Sequence, residues 1–238
     1  MTKCALTPYC PMKARDAYQD LLITGTGKQA LLQRPVTVSG TATLQTTITL
    51  QNNPTMTVAG QTILDGSTKG TGSISSGSFD LRSGTVSALL AGGSLTKTGS
   101  GSATLVAGNT YTGDTKIEDG ILSISNPYLN DLAGVYISTG AKLDLGFSSS
   151  DTIGSLYLDG ASAPAGTWGA TGSGAAHIDD IHFSGTGQLN VVPEPSTLVL
   201  LAAGALGLLA YAWRRSQSGS IRGHIPNPGT HYQLWYFA

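Results

Sequence analysis

From about Pro35 onward, apolar and polar side chains alternate in short runs separated by glycine, asparagine or proline. Val36-Thr37-Val38, Ala42-Thr43-Leu44, Thr47-Ile48-Thr49-Leu50 and Met56-Thr57-Val58 open the series. Phe79-Asp80-Leu81, Thr85-Val86, Leu95-Thr96-Lys97 and Ala103-Thr104-Leu105-Val106 continue it. Thr115-Lys116-Ile117, Ile121-Leu122-Ser123-Ile124, the stretch 134–137, Lys142-Leu143-Asp144-Leu145, and the stretches 155–158 and 188–192 complete it. A period of two with β-branched residues predicts half-buried strands, and the intervening Gly and Asn residues predict turns. Many short strands without a convincing helix are compatible with a sandwich, a barrel or a solenoid. The solenoid is favoured because runs such as 120–124 and 141–146 bury one face built from Ala, Val, Leu and Thr. A face so small needs a neighbouring coil to complete its core. The body is therefore expected to be all-β.

The pattern changes after residue 191. Val192-Pro193-Glu194-Pro195 stops the last strand, since proline fixes φ and donates no amide hydrogen bond. An uncharged apolar segment then opens at Thr197 and closes at Trp213. It sits at the short end of what a transmembrane helix needs, about 17 residues. Its leucines each favour insertion by about 0.3 to 0.6 kcal/mol. Tyr211 and Trp213 stand near one end, where aromatic rings prefer the interface. Arg214 and Arg215 follow at once, which predicts a cytoplasmic end and a body on the other side.

Composition narrows the classes. Charged residues are 11% of the chain, against about 25% in an ordinary soluble domain, and there are 32 glycines. Such a chain is expected to be turn-rich β-structure and not a helical enzyme. Hydrophobic residues at 40% in regular runs argue for packing over disorder. A net charge of -1 provides no field to recruit nucleic acid. Cys4 and Cys10 lack zinc-knuckle spacing, and two ligands would not close a site.

The chain divides into 1–34, irregular and without an apolar leader run; 35–191, the solenoid; 192–215, a terminal signal; and 216–238, a tail that continues past the basic pair. The missing leader predicts that the natural start lies upstream or at another codon.

The stretch Leu95-Thr96-Lys97-Thr98-Gly99-Ser100-Gly101-Ser102-Ala103-Thr104-Leu105 is followed by Asn109-Thr110-Tyr111-Thr112-Gly113-Asp114-Thr115 and then Gly120-Ile121-Leu122. It resembles the autotransporter-associated β-strand repeat, also called the passenger-associated transport repeat, over about 95–124. Asp114 departs from the glycine more usual there. The resemblance implies a right-handed parallel β-helix, exported and displayed, and implies no reaction. The region 160–191, with Trp168, resembles the end-piece that follows such repeats. Pro-Glu-Pro, then an apolar span, then Arg-Arg resembles the PEP-CTERM sorting signal. By that resemblance Val192, Pro193, Glu194 and Pro195 are read by an exosortase, a membrane processing enzyme, as a substrate. A plain single-span anchor with a Pro-rich stalk is the alternative.

Other constellations carry little. In a strand, His177 and Asp179 face one side while Asp180 and His182 face the other, so only two metal ligands converge. The stretch 24–29 lacks the first glycine of a P-loop and the Ser/Thr after its lysine. Ser94 and Lys97 have serine-acylase spacing without the partner motifs. Glu118 and Asp119 could pair as acid and base, yet they are adjacent and no aromatic sugar platform accompanies them. No catalytic residue, cofactor or metal is expected. The sequence thus predicts a non-enzymatic envelope protein, membrane-anchored as a precursor, with extracellular polysaccharide as a partner by association only. A carbohydrate-active β-helix enzyme is the rival. An autotransporter passenger would need a C-terminal barrel for which no chain remains after Trp213.

Overall fold

A computed structural model describes residues 2–5, 17–25, 29–192 and 197–218, in two units, 1–194 and 195–238. The first unit is all-β, a β-solenoid of about 7 turns. Each coil contributes three strand segments, and each segment pairs in parallel with its counterpart one coil on. Val36 registers with Met56, Ala42 with Thr62, and Ile48 with Thr68. All three segments of a coil are thus displaced by the same offset, as parallel stacking requires.

The register builds continuous columns inside. One runs Ile23, Leu44, Leu64, Leu81, Lys97, Ile117, Ile137 and Leu158. A second runs Leu21, Ala42, Thr62, Phe79, Leu95, Thr115, Val135 and Leu156, and every member is buried. Successive side chains on a strand point to opposite faces, so the alternation read from the sequence places Thr37, Thr57, Thr43 and Ser123 outside. Stacking gives each inward side chain a partner above and below, and so a packed core from modest residues.

Strands also form before Pro35. Leu21–Thr24 and Gln29–Leu32 pair with Ala42–Leu44 and Thr47–Leu50, and Thr2–Ala5 pairs with Leu21–Thr24. The irregular reading of 1–34 is corrected to that extent. Leu21 and Ile23 point inward from a run too short to show a period by itself. Of the features read there, Cys10 lies outside the described residues.

The C-terminal end of the solenoid closes on itself. Asp159 and Gly160, with φ of 52° and 80°, make the tight turn that returns Ala161–Ser162 antiparallel to Ser155–Leu158. Gly166–Gly169 runs antiparallel to Gln188–Val191, which in turn pairs parallel with Ser150–Ile153. Trp168 packs half-buried against the core, and its indole N–H donates to Pro164 O at 3.0 Å. Strands of the last coil thereby gain partners in the closing region: Ser155–Leu158 in Ala161–Ser162, and Lys142–Leu145 in Phe183–Gly185.

The second unit contains the helix Thr197–Ser218. It runs through Arg214 and Arg215, and Arg215 stands in its last turn, where a cation complements the helix dipole.

Candidate functional segments

The repeat stretch resolves into residues with separate physical tasks. Leu95 is a core residue on the inner face. Lys97 occupies the next inward position, in a column otherwise aliphatic, and is 0% exposed. Its ammonium donates to three backbone carbonyls, Thr98 O at 2.8 Å, Gly99 O at 2.5 Å and Asp119 O at 3.0 Å. One lysine thus ties the corner of its own coil to the corner of the next. Burial draws its pKa below the ordinary lysine value, while Asp119 and Asp80 act in the opposite direction. The same three bonds dispose of the acylase spacing with Ser94, because this ammonium is already engaged with carbonyls.

Gly120 faces that ammonium. It has φ of 67°, and an added Cβ would lie 2.3 Å from Gly101 O and 2.9 Å from Lys97 Nζ. Gly113 answers a different constraint: a Cβ there would sit 2.7 Å from both Cα and N of Ser94 one coil back. Asn109, which precedes both, is buried, and its Oδ1 accepts the amide of Leu90 at 3.0 Å. This bond runs from one coil to the next. Thr68 accepts from Ala88 N and Asp151 from Leu129 N in the same manner, each at 3.0 Å. Such bonds satisfy amides that the corners withdraw from water. Tyr111 is buried with its hydroxyl 2.9 Å from Thr115 Oγ1, and burial pushes its pKa upward. Asp114, which departs from the pattern, uses its carboxylate to accept Gly134 N at 2.8 Å.

The terminal signal begins where the sheet ends. Val192 is 50% exposed, and its amide donates to Ile153 O at 2.9 Å. Pro193, Glu194 and Pro195 lie outside the described residues, as does the tail from 219 onward. In the helix, the described side chains run from 203 to 215 and all are exposed, including Leu206, Leu208, Leu209, Tyr211 and Trp213. Among the described residues, no helix is long and apolar enough to cross a membrane. The span expected over 197–213 is therefore not supported by them.

The remaining candidates separate in space. Glu118 and Asp119 lie exposed at a corner, where Asp119 Oδ1 accepts Gly120 N at 2.7 Å. His177 stacks on Trp168 with ring centroids 4.5 Å apart, whereas His182 is buried between Asp179 and Asp159. Among the described residues no group of three or more His, Cys, Asp or Glu could hold a metal ion. Thr24 and Gln29 fall in separate strands, and 26–28 lie outside the described residues.

One surface feature was missed in the sequence. Tyr136 and Tyr157 stack on the outer face at 4.6 Å and 3°, with Lys116 Nζ 5.6 Å from the Tyr136 ring centroid. The signal was the coil offset: Lys116, Tyr136 and Tyr157 occupy one register position on three successive coils.

The geometry defines a class first: a capped parallel β-solenoid followed by a short linker and an apolar helix ending in arginines. Within that class, the chain carries two recognised segments. Residues 95–124 match the family model of the passenger-associated-transport-repeat, and 191–216 match that of the PEP-CTERM protein-sorting motif. No curated protein and no solved structure matches the chain. The two segments point to an exported surface protein, and the sorting motif implies an envelope-associated one recognised by an exosortase.

Proposed function

We propose that the chain is a non-enzymatic surface protein whose solenoid is exported and then sorted by an exosortase acting at Val192, Pro193, Glu194 and Pro195. The observation that carries this reading is the sorting motif itself, beginning at the last residues of a closed solenoid. Among the described residues Val192 is the last whose amide bonds the sheet and the helix starts at Thr197, so in sequence the motif lies between these two elements, which supports the reading. Residues 197–213 hold the precursor in the membrane in this reading, with Arg214 and Arg215 on the cytoplasmic side and the body outside. The right-handed sense of the coil follows from the repeat, and agrees with the usual hand of parallel crossovers. The displayed solenoid is a structural or adhesive element, and a polysaccharide matrix is its proposed setting.

The test is protease shaving of intact cells producing the full chain. Digestion of the solenoid without lysis is expected; a solenoid digested only after lysis would refute display. The non-enzymatic part is tested separately, by incubating the purified chain with extracellular polysaccharides. Unchanged chain length of the polymer is expected, and depolymerisation would overturn that part.

A further inference from the structure

The segment 177–182 attracted attention in the sequence as a metal candidate, and the fold gives it a different arrangement. His182 has a side chain only 7% exposed. Its Nδ1 lies 2.8 Å from Asp179 Oδ2, and its Nε2 lies 3.3 Å from Asp159 Oδ1. One carboxylate belongs to the last coil and the other to the end-piece. Asp159 stands in the tight turn after Ser155–Leu158, on the last coil. Asp179 belongs to the turn that leads into Phe183–Gly185, and its Oδ1 accepts the amides of Ile181 and His182. The His182 carbonyl accepts Leu143 N at 2.8 Å, and Phe183 registers with Leu143 directly after it. The imidazole thus stands where the returning chain docks on the strand Lys142–Leu145.

The state of this ring decides what Nε2 meets. As an imidazolium, the ring donates from Nδ1 to Asp179 and forms an ion pair through Nε2 with Asp159. As a neutral ring with its proton on Nδ1 toward Asp179, Nε2 presents a lone pair to Asp159, and an acceptor faces an acceptor. Nε2 is fully enclosed and makes no well-formed hydrogen bond, so water does not relieve that contact. We propose that His182, Asp159 and Asp179 form a pH-operated clasp that holds the end-piece closed over the last coil when His182 is charged and loosens it when His182 is neutral.

The surrounding charges fit. Lys142 Nζ is engaged at Asp180 O, and the Asp180 carboxylate binds Thr171 through its amide and hydroxyl. Asp144 is held by Ser123 and Ser184, and Asp159 also accepts Thr139 Oγ1. Burial alone would draw the His182 pKa down, yet the bonds and charges of Asp179 and Asp159 hold it above the ordinary value of 6.5. The contribution is then complete below that ordinary value and lost as pH rises through the raised one. The carboxylates set the other limit. Thr139 and then His182 draw the Asp159 pKa down. For Asp179, burial acts upward and the bonds from His182 and Ile181 outweigh it. The clasp therefore also fails in acid, as pH falls through those lowered values.

Hydrogen exchange on the purified full chain tests this, with rates corrected for the intrinsic pH dependence. The amides of Leu143, His182 and Phe183 are expected to open measurably more at pH about 8.5 than at about 6. Amides of the mid-solenoid, such as Leu122, should not change. Equal opening at both pH values overturns the proposal. In the Asp159→Asn variant, Asn tolerates the positive φ of the turn, so the fold is retained. Its amides should open at a lower pH than wild type; an unchanged midpoint also overturns the proposal. In His182→Gln, opening should lose its dependence between those pH values, and retention of the wild-type dependence is a third contradicting result.

Discussion

Lys97 stands in a stack of leucines and isoleucines, and its three carbonyl contacts explain why a charge is tolerated there. A buried ammonium is costly unless every donor is met, and here each N–H has an acceptor. Replacing Lys97 with alanine removes the stem that fills the column and leaves the two corners untied. A loss of about 3 kcal/mol is expected from denaturant midpoints. Lys97→Met keeps most of the stem and should lose clearly less, so the difference between the two variants isolates the stem and the loss in Lys97→Met itself reports the ammonium. At Gly113 the constraint is steric. Gly113→Ala forces Cβ against the Ser94 backbone and should cost about 1 to 3 kcal/mol by the same measurement.

Asp151 gives a pH prediction at this scale. Burial raises its carboxyl to about 6, against the hydrogen bond from Leu129 N. An acid with a raised folded pKa stabilises the fold below its unfolded value, and that stability is lost as pH rises toward about 6. Unfolding midpoints of Asp151→Asn should therefore decline less than wild type between pH about 4 and about 6.5. An identical decline in both would contradict the assignment.

Between coils, the outer Tyr136–Tyr157 pair is an interaction of one strand with the next. Ring stacking of this kind contributes about 0.5 to 1.5 kcal/mol beyond burial, so a double-mutant cycle with Tyr136→Ala and Tyr157→Ala should show coupling in that range. Additive single effects would mean that the stack contributes nothing. The pair also indicates what the sequence displayed and what it hid. Strands with inward Val, Leu or Ile were legible from a period of two, as in Thr47–Leu50 and Lys142–Leu145. Strands carrying Ser or Gly at inward positions were not: Ser73-Ile74-Ser75-Ser76 offers one large apolar residue, and only the neighbouring coils complete its core. The roles of Lys97, Asn109 and Asp114 were likewise hidden, because Asp119, Leu90 and Gly134, which they bond, lie a coil away. The pattern of the repeat was readable, but the reason for its lysine was not.

The helix makes its own prediction. An arginine near the middle of a membrane span costs about 2.5 to 3.5 kcal/mol on the insertion scale. Leu206→Arg should therefore move the precursor out of the membrane fraction, measured by fractionation and immunodetection. Unchanged partition would contradict a span over 197–213.

At the scale of the whole molecule, two designs are joined in one chain. The solenoid gains its stability from nearest-neighbour stacking and is closed by its end-piece. The terminal unit has a helix that is apolar all round over 203–213 and carries Arg214 and Arg215 after it. In sequence, Pro193, Glu194 and Pro195 separate the last strand residue Val191 from the helix that begins at Thr197. The decisive measurement is the intact mass and C-terminus of the protein recovered from a host with and without its exosortase. Loss of everything after the Pro-Glu-Pro region only when the enzyme is present is the predicted result. A full-length chain in the membrane fraction of both strains would contradict sorting and leave an ordinary single-span anchor.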